Sequence, residues 1–243
     1  MVKNYLKKAT AGIALLAMSS FASADGHSEV SYSANLGFMS DYIYRGVHQS
    51  SSSAMGGFDI EYGSFYAGTW FADLQEDGWV EGSHRGFEYD VYAGFGFDVS
   101  DSISAYVGYT IYRYTDKGAN AFDDDYDEVN VGVSFALTDD ISLSLDYSNG
   151  ENTLTDQSEV DYDILTTTIE YMGAYFTYGD WGVSEDDTGE TDAEYIEIGY
   201  SRTVGDFDLG GAFVLSEKEL ATASDTAEDG DFSRFVMTIS TGF

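Results

Sequence analysis

Along most of the chain apolar and polar residues alternate one by one. Phe87, Tyr89, Val91, Ala93, Phe95, Phe97 and Val99 are apolar or aromatic, and Glu88, Asp90, Tyr92, Gly94, Gly96 and Asp98 lie between them. A period of two puts successive side chains on opposite faces of an extended strand, one oily and one wet. The same rule runs through Ile103 to Ile111, Val129 to Leu137, Ile141 to Tyr147 and Phe207 to Leu215. It predicts twelve strands, over 30–46, 56–62, 65–73, 86–98, 103–115, 126–137, 141–149, 160–171, 174–183, 193–203, 207–218 and 231–243.

The connections alternate in length. Short ones fall at Gly63-Ser64, Ser100 to Ser102, Thr138 to Asp140, Met172-Gly173 and Val204 to Asp206. Long ones are predicted over 47–55, 74–85, 116–125, 150–159, 184–192 and 219–230. Tight turns at one end and long loops at the other are the plan of an up-and-down transmembrane β-barrel, with both termini at the short-turn end. A secreted β-sandwich would also alternate, but nothing in it would send six long loops to one end. The predicted fold is therefore an all-β, antiparallel, transmembrane barrel of about twelve strands.

The first residues refine this picture. Lys3, Lys7 and Lys8 precede a short apolar run, Ala9 to Met18, and Ala22-Ser23-Ala24 is a small-x-small cleavage site. That order is a secretory signal peptide, and the run is too short for a spanning helix. We therefore expect a cleaved leader over 1–24 and a barrel over 25–243. Cys is absent, so disulfides and thiolate chemistry are excluded; Pro is absent too, which suits unbroken ladders. Ten Lys and Arg, less three in the leader, leave seven basic side chains against 44 acidic ones, a net charge of about −37. A surface so acidic excludes nucleic acid as a partner.

Strand parity converts alternation into two faces. If Val30, Tyr32, Ala34, Leu36 and Phe38 meet lipid, then Asp41 and Arg45 face the lumen, along with Asp59, Glu61, Trp70, Glu88, Asp90, Asp98, Glu128, Asp146, Glu170, Glu197, Asp208 and Arg234. The cause is energetic: Arg or Lys facing the bilayer midplane costs about 2–4 kcal/mol, and carboxylates somewhat less. Eleven of these candidates are carboxylates and two are arginines. Rings of carboxylates favour cations. Asp41 and Arg45 lie about 13 Å apart along a strand, so Arg45 is expected to reach a carboxylate elsewhere. Tyr42, Tyr44, Tyr62, Tyr89, Tyr109, Tyr147, Tyr171 and Tyr200 share the outward parity, as interfacial girdles do. Trp70 is expected to pack within the barrel.

Two stretches carry a resemblance. Ser40-Asp41-Tyr42-Ile43-Tyr44-Arg45-Gly46-Val47-His48-Gln49-Ser50 resembles the opening motif of the TorF-type porin family, proteobacterial proteins first catalogued as conserved hypothetical. Phe65 to Trp70 resembles that family's next recognisable stretch. The resemblance implies an outer-membrane barrel regarded as a porin, and it supplies no substrate. The last strand, with Phe235, Met237, Ile239, Thr241 and Phe243 on one face, resembles the terminal signal read by the barrel-assembly machinery; Thr241 departs from the aromatic often found there.

Catalysis has little to build on. His27, His48 and His84 are the three histidines, Ser50 to Ser53 lie beside His48, and no nucleophile elbow is present. The acidic stretches 123–128 and 185–192 lack EF-hand spacing. No enzyme activity, cofactor or metal is expected. The expected partners are outer-membrane lipid, the assembly machinery and small solutes. The expected role is passive diffusion of small solutes with a cation preference; the alternative is a non-conducting barrel that presents acidic loops.

Overall fold

The computed structural model describes residues 30–75, 85–115, 126–153, 159–183, 191–220 and 231–243. The expected leader, His27, His84 and most of the acidic loop residues lie outside these. Twelve strands follow in chain order: β1 (Val30–Tyr44), β2 (Val47–Tyr62), β3 (Phe65–Gln75), β4 (Arg85–Ser100), β5 (Ile103–Tyr114), β6 (Tyr126–Ala136), β7 (Ile141–Thr153), β8 (Glu159–Tyr171), β9 (Ala174–Val183), β10 (Thr191–Val204), β11 (Phe207–Ser216) and β12 (Phe232–Gly242). Each pairs antiparallel with its chain neighbour, and β1 pairs with β12 to close the barrel. At the seam, Ala34 and Phe243 exchange backbone hydrogen bonds of 2.9 Å in both directions.

The turns sit where the sequence put them. Met172 and Gly173 both have positive φ, 51° and 89°, the conformation of a two-residue hairpin turn whose twist matches its strands. The outward face carries an apolar band, with exposed charges such as Asp161, Asp180, Glu194 and Arg202 toward its ends. Leu36, Phe38, Val91, Phe95, Val107, Val131, Leu165, Ile169, Ile198, Phe213 and Phe235 are all exposed on it. In a water-soluble protein such a band would be an aggregation surface; around a closed barrel it is the face made for hydrocarbon. Tyr62, Tyr89, Tyr109, Tyr147, Tyr171 and Tyr200 are exposed as their parity requires.

One expected loop is instead a strand. Residues 47–55, with their run of four serines, belong to β2, and the chain reverses in a two-residue turn at Arg45-Gly46. The error has a physical cause. β1 pairs with β12 only from Asn35 to Met39, and β2 pairs with β3 only from Met55 to Tyr62. Beyond those points the hairpin pairs with itself alone. It leaves the wall and enters the lumen, where neither face has to be oily. Ser52, at φ 67°, bends β2 near the point of departure, and the register slips at Tyr42/Ile43. Tyr42 and Tyr44, expected outside, are consequently buried inside. Smaller differences lie at strand ends: β7 runs on to Thr153, and β11 stops at Ser216 before a short 3₁₀ turn at Lys218–Leu220.

Candidate functional site: a lumen crossed by a hairpin

The hairpin tip reaches strands around the whole ring at the long-loop end. Arg45 NH1 donates to Glu128 Oε1 on β6 at 2.7 Å, and NH2 donates to Ser148 on β7 at 2.8 Å. The Tyr44 hydroxyl meets that of Tyr112 on β5 at 2.8 Å. Trp181 on β9 donates to the Arg45 carbonyl, and Ser216 on β11 donates to the Gly46 carbonyl. Gly46 sits at φ 82°, and a Cβ there would lie 2.6 Å from Cβ of Tyr195, so turn geometry and close packing both require glycine. Nearer the root, Asp41 lies 3.9 Å from Arg234 and 3.8 Å from His48. Ser40 Oγ accepts from the Met237 amide of β12, and Ser53 Oγ donates to the Asp73 carbonyl of β3. These two serines engage the strand edges that the departing hairpin leaves behind.

The wall answers the hairpin with small and apolar side chains. Ala72, Ala212, Val214 and Val236 point inward and are buried against Met39, Tyr42, Ile43 and Tyr44. Val47 packs with Ala193, Tyr195, Leu220 and Phe232. The Trp70 ring packs tilted against that of Tyr42, with centroids 5.4 Å apart. Inward apolar residues would be costly in a water-filled tube, and here the hairpin covers them.

Glu128 is the hub of the polar side. It accepts from Arg45, Tyr162 (2.9 Å), Tyr112 (3.1 Å) and Asn130 (2.9 Å). Four donors, one of them a guanidinium, compensate a carboxylate that is 1% exposed.

A second motif organises the lumenal wall. Tyr92 of β4 lies over Gly68 of β3, its register partner, and its hydroxyl reaches Asp59 of β2, the register partner of Gly68 on the other side. Tyr106, Gly132 and Asp146 form the same row across β5, β6 and β7, with a 2.8 Å hydrogen bond. Tyr162, Gly150 and Glu128 form it across β8, β7 and β6. In each row glycine leaves room for a ring to lie flat, so tyrosine bridges two strands to a carboxylate. A Cβ on Gly68 or Gly132 would come within 2.6 and 2.2 Å of the ring atoms. Tyr175 on β9 also holds an acid, Glu197 on β10. Sequence reasoning counted tyrosines as girdles and missed this role; the signal was an inward-parity Tyr and Gly at facing register positions.

The other candidates are dispersed. Glu61 and Asp208 are held near the short-turn end, by Ser31 (3.4 Å) and Thr203 (2.6 Å). Asp98 is exposed at that rim, and Glu170 is half-buried on β8. Glu88 and Asp90 are buried beneath the hairpin. Arg234 lies on β12 beside Asp41. Among the described residues no group of three or more His, Asp or Glu has metal-ligand geometry.

A family profile described as "Bacterial protein of unknown function (Gcw_chp)" matches residues 23–243. A search of curated proteins gives no match. Among solved structures the barrel is similar to the KdgM porin, at 10% identity and a TM-score of 0.54, covering 87% of this chain and 99% of that one. KdgM porin in complex with disordered oligogalacturonate gives 11% identity, a TM-score of 0.52 and coverage of 87% and 99%. Similarity at that identity establishes a shared barrel fold.

Proposed function

This chain belongs to the Gcw_chp family, and we propose that it is an outer-membrane channel for passive diffusion of small solutes, narrowed at its long-loop mouth by the β1–β2 hairpin and preferring cations. The observation that carries the reading is a closed barrel, oily outside, whose inward strand positions hold carboxylates far in excess of arginines. Arg45, one of the two lumenal arginines, is neutralised by Glu128. The field left in the lumen is negative, which favours cations. The porin fold shared with KdgM supports a conduit, and the motif at Ser40 to Ser50 supports placement among TorF-type porins. Export by the leader, insertion through the strand ending at Phe243 and residence among outer-membrane lipid complete the proposal. His48 is buried in the hairpin beside Asp41, a setting that suits holding the hairpin better than catalysis.

A second reading, a barrel that does not conduct, draws on the close packing of the hairpin against Ala212, Val214 and Val236. Planar-bilayer recording in a salt gradient separates the two. Small conductance steps with a cation-selective reversal potential are expected. An anion-selective reversal removes the cation preference, and silence of the folded protein removes the channel.

A further inference from the structure

We propose that Glu88 and Asp90 form a buried site for one divalent, oxygen-seeking cation of the Ca²⁺ type beneath the hairpin. The inference rests on the cation-preferring channel for its place in permeation, while the binding itself is independent of flux.

The lumenal acids Asp59, Glu128, Asp146 and Glu197 each receive a tyrosine hydroxyl. Glu88 and Asp90 differ in that each keeps a buried oxygen with no donor. They stand two residues apart on one face of β4, 1% and 4% exposed, and Glu88 Oε2 and Asp90 Oδ1 meet no hydrogen-bond donor. The hydroxyls of Tyr42 and Tyr114 lie on Glu88, so one of its oxygens is satisfied and the other is held in place without a partner. Asp90 stands in the field of two further acids, Glu88 and Glu128. The nearby guanidinium of Arg45 is bound to Glu128. Arg45 is thus committed to one of three buried carboxylates, and Glu88 and Asp90 must either hold protons or meet a cation. Buried charges persist when they are paired or coordinate a metal. One divalent ion supplies the missing charge, and the donors around it are all oxygen, the set that hard cations take. With two carboxylates at hand, tyrosine hydroxyls and water complete its shell. Tyr42, packed on Trp70, closes the site from the hairpin side.

The test uses the whole mature barrel folded in detergent and titrated with Tb³⁺, an ion that takes Ca²⁺-type oxygen sites and is excited through nearby tyrosine. We expect tyrosine-sensitised emission that saturates at one tight ion per barrel and is displaced by Ca²⁺. Glu88→Gln/Asp90→Asn should weaken that binding at least about tenfold, while Asp186→Asn/Asp187→Asn in the acidic stretch leaves it unchanged. Equal binding by the Glu88/Asp90 variant, or emission lost only in the Asp186/Asp187 variant, overturns the site. If the first variant fails to fold, the thermal midpoint of the unaltered protein decides: a rise with Ca²⁺ after chelator treatment that the Asp186/Asp187 variant retains is expected, and no rise overturns the site. Conductance without binding defeats the site and spares the channel; binding without conductance does the reverse.

Discussion

The hairpin from Ser40 to Ala54 and the wall that surrounds it are made of the same secondary structure under opposite rules. In the wall, every second residue meets an oily exterior, so the pattern is strict and visible: Val129, Val131 and Val133 alternate with Glu128, Asn130 and Gly132. In the hairpin both faces are inside. Tyr42, Ile43, Tyr44, Val47, His48 and Ser50 are all buried, with no regard to parity. Wall strands β4 to β11 hold each other by ladders on both edges. The hairpin tip holds itself by one ladder and is fixed to the wall by side chains: Arg45 to Glu128, Tyr44 to Tyr112, Trp181 and Ser216 to its carbonyls. A barrel wall is specified by lipid; an intralumenal hairpin is specified by individual polar contacts. Point changes should therefore act sharply in the hairpin and gradually in the wall.

The largest effect on stability is expected at the join between the two. Arg45→Ala leaves Glu128 buried without its guanidinium, and breaking a buried pair in this way costs about 3–5 kcal/mol. Thermal unfolding in detergent should show it, and adding Glu128→Gln should recover part of the loss, because the two residues act as a unit. Full additivity of the two changes would mean that Arg45 and Glu128 are not coupled. On the wall, Val131→Arg places a charge on the lipid face and should cost about 2–4 kcal/mol near the midplane. A cost near zero, measured by refolding into lipid vesicles, would place Val131 outside the hydrocarbon.

The way these two regions appear in the sequence follows from the same rule. Turns such as Met172-Gly173 and strands such as β4 to β7 were legible because lipid imposes alternation and hairpin geometry imposes glycine. β2 was legible only from Gly56 onward, one residue after it joins the wall at Met55. Its first half reads as loop because His48, Gln49 and four serines suit a solvated loop as well as a buried polar hairpin. The outward assignment of Tyr42 and Tyr44 failed at Met39, where β1 parts from β12 and parity ceases to mean anything. The lumenal acids could be read from parity, but their partners could not. Tyr92, Gly68 and Asp59 come together through register across three strands, and register is fixed by turns and bulges that alternation does not encode.

The tyrosine rows offer a finer test. Tyr92→Phe keeps the ring over Gly68 and removes the hydroxyl that Asp59 accepts. A hydrogen bond to a charged group contributes about 1.5–3 kcal/mol, and Ser33 still lies 3.5 Å from Asp59, so a loss toward the lower figure is expected in the unfolding midpoint. No loss would make the row a packing feature alone. The smallest effect belongs to Asp98→Asn, at the exposed short-turn rim, which should leave stability unchanged and shift the reversal potential least of any lumenal carboxylate.

The central claim is that the hairpin narrows an otherwise continuous lumen. Replacing residues 41–52 with a two-residue Asn-Gly turn removes the tip and keeps the wall ladders from Asn35 to Met39 and from Met55 to Tyr62. Single-channel recording of this variant beside the unaltered barrel is the direct measurement. The account predicts a conductance several-fold larger, still cation-selective. Equal conductance, or silence of both folded proteins, would contradict it.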